Sequence, residues 1–117
     1  MIRSNCSYES RYVDGVLEFI LHGEIDHHNA VNIRTGMDEE ICRLMPKRVI
    51  LSLSGIEFMD SSGLGLIMGR YALMQRLGGT LSLREPNERL LRIFELAGLE
   101  RMIRIEDGKE HGGEEEE

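Results

Sequence analysis

Two apolar runs, Val16-Leu-Glu-Phe-Ile-Leu21 and Arg48-Val-Ile-Leu-Ser-Leu53, are separated by a stretch of helical periodicity, and no other feature constrains the fold as strongly. In the first run Leu17, Phe19 and Leu21 alternate with Val16, Glu18 and Ile20. One face is wholly apolar and the other nearly so, which is the pattern of a central strand. The second run is short and β-branched, as a buried strand is. Between them Ala30, Ile33, Met37, Ile41, Leu44 and Met45 recur at three- and four-residue spacing, predicting an amphipathic helix whose C-terminus is fixed by Pro46. Strands joined through such a helix run parallel.

The cycle then repeats. After residues 54–60 a helix is expected to start near Ser61, with Leu64, Ile67, Met68, Tyr71, Met74 and Leu77 on one stripe and a stop at Gly78-Gly79. Thr80-Leu-Ser-Leu-Arg84 is the next strand. Pro86-Asn87 opens a third helix carrying Leu90, Leu91, Phe94 and Leu96, which Gly98 closes, and residues 102–105 add a short edge strand. At the other end, Asp14-Gly15 lies between residues 4–13 and the first apolar run. That dipeptide signals a hairpin, because the primed two-residue turns need positive φ at their centre. The expected fold is α/β: a mixed sheet of four to five strands, an N-terminal antiparallel hairpin followed by parallel strands, packed with three to four helices.

A chain of 117 residues has room for one such core. Residues 1–107 are expected to form the domain and residues 108–117 an acidic disordered tail, since that stretch holds Gly112-Gly113 and four final Glu with little to bury. From Glu106 onward seven acids face Lys109 alone, so almost all of the formal charge of -7 belongs to that end. Neither part offers the basic stripe that binding nucleic acid demands. Cys6 and Cys42 form no CxxC pair and read as reduced cysteines of a cytoplasmic protein. No stretch approaches the ~20 apolar residues of a membrane span, and the working expectation is a monomer without cofactor.

The chemistry gathers in Phe58-Met-Asp-Ser-Ser-Gly-Leu-Gly65, where a strand gives way to a helix. A phosphate on Ser61 would meet the partnerless N–H groups and the positive dipole end of the first helical turn, while Gly63 and Gly65 keep the approach clear. Chain physics leaves Ser61 and Ser62 equivalent, and leaves open that Asp60-Ser61-Ser62 is a helix cap and nothing more. Three enzymatic or metal readings fare worse. Gly63-x-Gly65-x-x-x-Gly69 has the wrong spacing for a dinucleotide fingerprint. A hydrolase built on Ser61 lacks a nucleophile elbow and has only His111 downstream. His22, His27 and His28 have no Cys or paired acid at ligand spacing, and residues 27 and 28 are expected to diverge on a helix. Asp26, in a loop over residues 22–26, reads as the cap of the first helix. Its loop and the Ser61 loop follow strand ends on one edge of the sheet, so the two are expected to be neighbours.

Taken together, Leu21-His-Gly-Glu-Ile-Asp-His-His-Asn-Ala30 and Phe58-Met-Asp-Ser-Ser-Gly-Leu-Gly-Leu-Ile-Met-Gly-Arg-Tyr71 closely resemble the STAS-domain anti-sigma factor antagonists, particularly the sporulation type. The resemblance runs over nearly the whole chain, including Gly78-Gly79 and Phe94-Glu-Leu-Ala-Gly-Leu99. It implies the STAS fold and a non-enzymatic regulator. It also implies that Ser61 is phosphorylated by the anti-sigma factor itself, an ATP-using serine kinase, and that a serine phosphatase removes the phosphate. The unphosphorylated form would bind the anti-sigma factor and free the sigma factor. By the same resemblance Asp26 lies on the kinase-facing surface, and Asp60, Ser61, Ser62, Gly63 and Leu64 complete the partner-binding segment. A constitutive STAS scaffold domain of a signalling complex is the alternative.

Overall fold

Asp14 and Gly15 take φ of 53° and 81° and turn the chain between β1 (Cys6–Val13) and β2 (Val16–Ile25), which pair antiparallel with Val13 opposite Val16. The computed structural model describes residues 5–107, so the stretch expected to be a disordered tail, 108–117, lies outside the described residues. After the hairpin come α1 (Ala30–Leu44), β3 (Arg48–Met59), α2 (Ser61–Arg76), β4 (Thr80–Arg84), α3 (Glu88–Leu96), a 3₁₀ turn at Leu99–Arg101 and β5 (Arg104–Glu106). The sheet order is β1-β2-β3-β4-β5, and every pairing after the hairpin is parallel. This is the expected α/β architecture, with five strands and three α-helices among the described residues.

β2 and β3 run further than their patterns suggest. Residues 22–26 read as a loop and residues 54–60 as part of no strand, yet β2 continues to Ile25 and β3 to Met59, with Glu24 opposite Phe58 and Ile25 opposite Met59. Register shifts between Ile20 and His22 and between Gly23 and Glu24 break the alternation that would have disclosed the strand. Gly23 makes the second irregularity possible: its φ is +106°, and a Cβ there would sit 2.1 Å from the Asn5 carbonyl oxygen. The Glu24 N–H donates to that same oxygen at 3.0 Å.

One face of the sheet carries Leu17, Phe19, Leu21, Val49, Leu51, Leu53, Leu81 and Leu83, and all three helices pack on it. α1 contributes Ile33, Met37 and Ile41, α2 contributes Leu66, Ile67 and Met74, and α3 contributes Leu90 and Phe94. The α2 stripe is therefore turned from the expected one. Gly63, Leu66, Ile67, Arg70 and Met74 are buried, whereas Met68 is exposed. Leu96 and Met45 are exposed too: Leu96 ends α3, and Met45 has left α1 with φ +49°, its N–H donating to the Ile41 carbonyl. The final strand starts at Arg104, two residues later than the pattern 102–105 suggested.

On the opposite face stand Glu18, Ile20, Arg48, Ile50, Ser52, Ser82, Arg84 and Glu106, and ion pairs take the place of helices. Arg84 reaches Glu18 and Glu106 at 3.3 Å each, while Arg48 pairs with Glu106 and donates to the Ser82 hydroxyl. Glu106, counted with the acidic end in the sequence, is a strand residue only 5% exposed.

Candidate functional site

At the C-terminal end of β3, the Asp60 N–H donates to the Ile25 carbonyl of β2 at 3.1 Å, which holds the chain just before α2 against the chain just before α1. Asp60 is the N-cap of α2. Its carboxylate accepts from the Ser62 N–H at 2.8 Å, and its carbonyl accepts from the Gly63 N–H at 2.9 Å and the Leu64 N–H at 3.4 Å. Ser61 is the first helical residue and is exposed; Ser62 and Leu64 are half-buried and Gly63 is buried. The N–H groups of residues 62–64 are bonded to Asp60, so a phosphate on Ser61 would share this helix start with the Asp60 carboxylate.

The two glycines also differ from each other. A Cβ on Gly63 would meet the Met59 Cβ at 2.5 Å, so this residue lets α2 pack closely on β3 instead of clearing an approach. A Cβ on Gly65 would meet nothing within 4 Å, and the space beside it is open.

Asp26 closes a turn three residues ahead of Asn29, which holds the cap position that Asp26 was expected to fill. Its carboxylate accepts from the N–H groups of His28 at 2.9 Å and Asn29 at 3.1 Å, and its carbonyl accepts from the Ala30 N–H at 2.9 Å. Asn29 stands at the N-cap, spending its side chain on the Asp26 N–H and the Glu24 carbonyl. The Asp26 and Ser61 segments are neighbours, as the strand order required. Burial, and after it the Asp26 charge, pushes the Cys6 thiol up to about 11. His27 and His28 do not diverge: both lie in the turn before α1, with ring centroids 4.0 Å apart. His22 is elsewhere, its Nε2 3.6 Å from the Glu9 carboxylate. Among the described residues no three His, Cys, Asp or Glu side chains converge as metal ligands.

Between the first halves of α1 and α2 runs a groove of about 310 Å³, lined by His27, Ala30, Val31, Arg34, Ser62, Gly65 and Leu66. Of the α1 residues lining it, Ala30 belongs to the apolar stripe read from the sequence, but Val31 and Arg34 did not stand out there, because a groove between two helices is written in neither helix alone. Deeper along the same contact lies Arg70 of α2, 5% exposed, with Nε 2.8 Å from Asp38 of α1 and Nη1 3.3 Å from the Leu66 carbonyl. One sequence signal existed for it, since Arg70 stands four residues from both Leu66 and Met74 on the buried stripe.

The STAS domain model matches residues 7–111, spanning both strand ends and the groove. The chain belongs to the STAS domain family, among the anti-sigma factor antagonists. It is 39% identical over 105 residues to the anti-sigma F factor antagonist of Paenibacillus polymyxa, covering 90% of each chain. Among solved structures it is similar to the anti-sigma factor antagonist SpoIIAA in its unphosphorylated form, with a TM-score of 0.77, 27% identity and 91% of each chain covered. The Bacillus cell fate determinant SpoIIAA in its phosphorylated form is similar as well, at a TM-score of 0.71 and 27% identity, covering 91% of this chain and 95% of that one. Antagonists of this kind are regulators and not enzymes. Among the described residues, no hydrogen bond joins a histidine to either serine hydroxyl, and no helix is long and apolar enough to cross a membrane.

Proposed function

We propose that this antagonist acts by partner switching in the cytoplasm: unphosphorylated, it docks on an anti-sigma factor that is an ATP-using serine kinase and frees the sigma factor; phosphorylated on Ser61, it is released. A serine phosphatase returns it to the docking state. The supporting observation is the placement of Ser61, exposed at the first position of α2 and immediately after the carboxylate of its cap, Asp60. Asp26, Asp60, Ser62, Gly63 and Leu64 belong to the docking surface, with Gly63 acting through its packing on Met59. The domain responsible is residues 1–107.

The switch needs charge and no refolding. A phosphate adds about -1.5 to -2 units at neutral pH, beside an Asp60 carboxylate that already accepts from the Ser62 N–H. One like-charge pair at ~4 Å costs about 4 kcal/mol at an effective dielectric near 20. At about 1.4 kcal/mol for each factor of ten, a single such pair against the partner weakens docking by roughly a hundredfold or more.

Incubated with its cognate anti-sigma kinase and ATP, the chain is expected to gain one phosphate by mass. Ser61→Ala abolishes the gain and keeps partner binding. Phosphate found on Ser62, or uptake that survives Ser61→Ala, overturns the reading.

A further inference from the structure

We infer that the ion pair between Arg70 and Asp38 sets the spacing of the groove between α1 and α2, making both of them positioning residues for partner docking. The inference rests on the docking surface proposed above, which it extends into the groove through their shared residue, Ser62. It begins from an oddity of α2, whose buried stripe includes a guanidinium among apolar side chains. Burying such a group is costly, and a matched apolar pair commonly serves stability as well or better, so a buried ion pair is weak evidence of a stability role. What it supplies is a fixed geometry.

The surroundings show why this contact needs one. Along α2, Gly65 and Gly69 present no side chain, and a Cβ at either would meet nothing within 4 Å, so neither position presses against α1. The Arg70 guanidinium reaches across to α1, its Nη2 donating to Asp38 Oδ2 at 3.4 Å and its Nε in ion-pair contact with Oδ1 at 2.8 Å, while Nη1 donates to the Leu66 carbonyl of its own helix. Leu66 lines the groove, and so does Arg34, one turn before Asp38 on α1. Among the described residues this is the one ion pair joining the two helices.

Charge adds a second reason. Burial lowers the Arg70 pKa; Asp38 opposes that shift and Arg34 adds to it, so Arg34 repels Arg70 across the contact while Asp38 attracts it. Without the Asp38 charge, α1 and α2 have a reason to part. Parting them moves Ser62 and Gly65 relative to His27 and Val31.

The test uses the full chain with Asp38→Asn, with Asp38→Glu, and with the apolar pair Arg70→Met/Asp38→Leu. Each is measured for thermal unfolding, for affinity of the unphosphorylated form toward the cognate anti-sigma factor, and for KM and kcat of phosphorylation. The apolar pair is expected to unfold cooperatively near the wild-type temperature, yet to lose roughly tenfold to a hundredfold in affinity and KM with kcat little changed, the scale of a ~1 Å misplacement. Asp38→Glu keeps the charge and recovers most of the affinity, and Asp38→Asn does not. A folded apolar pair with wild-type affinity overturns the inference. Affinity is measured without phosphate transfer, so failure of Ser61 to accept phosphate is a separate result and leaves this one decided.

Discussion

Arg84 Nη2 lies 3.3 Å from Glu106 Oε1, bridging β4 to β5 on the face of the sheet that no helix covers. Parallel sheets are ordinarily covered by helices on both faces. Here the uncovered face is closed by Glu18, Arg84, Glu106 and Arg48, whose side chains lie beside Ile50, 3% exposed.

Glu106→Ala should therefore be the costliest single change on that face. It leaves Arg48 and Arg84 without the carboxylate they share and unpins β5, at about 3 kcal/mol, the lower end for breaking a buried pair because both arginines keep some contact with water. Chemical denaturation monitored by circular dichroism checks the size, and a loss under ~1 kcal/mol would show that the network contributes little.

Gly63→Ala and Gly65→Ala, two residues apart on α2, should have opposite effects. The first drives a methyl group into Met59 and costs about 1–3 kcal/mol by overpacking. The second meets no atom and gains about 0.5 kcal/mol or more in helix propensity. It also fills part of the groove, so partner affinity should fall while the melting temperature rises. Calorimetry and a binding titration on the same samples separate the two quantities.

Asp60→Ala removes the acceptor of the Ser62 N–H and should destabilise the chain by ~1 kcal/mol, with Asp60→Ser recovering most of the loss. Hydrogen exchange at residues 61–64 should speed up in the alanine variant first.

The thiols should react in order of exposure. Cys42 is exposed, whereas Cys6 is half-buried with its thiol held at about 11, so iodoacetamide at pH 8 should label Cys42 and spare Cys6. The same shift has a definite sign for stability. The folded thiol keeps a proton that the unfolded chain releases near 9.0, so the contribution is complete below pH 9 and is lost as pH climbs from about 9 to about 11. Cys6→Ser should flatten that part of a stability profile, and equal labelling of both thiols at pH 8 would contradict the burial of Cys6.

The sequence by itself determined the order of elements, the Asp14-Gly15 hairpin, the parallel run of later strands and the start of a helix at Ser61. These are local matters: turn residues need particular φ, apolar spacing follows the period of the element, and a short polar residue before an apolar stripe caps a helix. Local pattern stopped being informative where the chain departs from a regular period. Residues 22–25 and 54–59 are strand, but the irregular register beginning after Ile20 puts polar residues where alternation demands apolar ones, and only glycine fits at position 23 because a Cβ there would strike the carbonyl of Asn5, just before the neighbouring strand. The exposure of Met68 and Leu96 and the burial of Arg70 depend on how each helix is rotated over the sheet, which its own spacing leaves open by a residue or so.

What only the tertiary structure decided was which distant groups meet. Arg70 finds Asp38 across 32 positions of sequence, Arg84 finds Glu18 across 66, and Arg48 finds Glu106 across 58. No periodicity links such pairs; strand register and helix packing bring them together. The same holds at the helix start. The sequence placed Asp60 beside Ser61, and the folded chain bonds the N–H groups of residues 62–64 to Asp60 with Ser61 exposed at the first helical position.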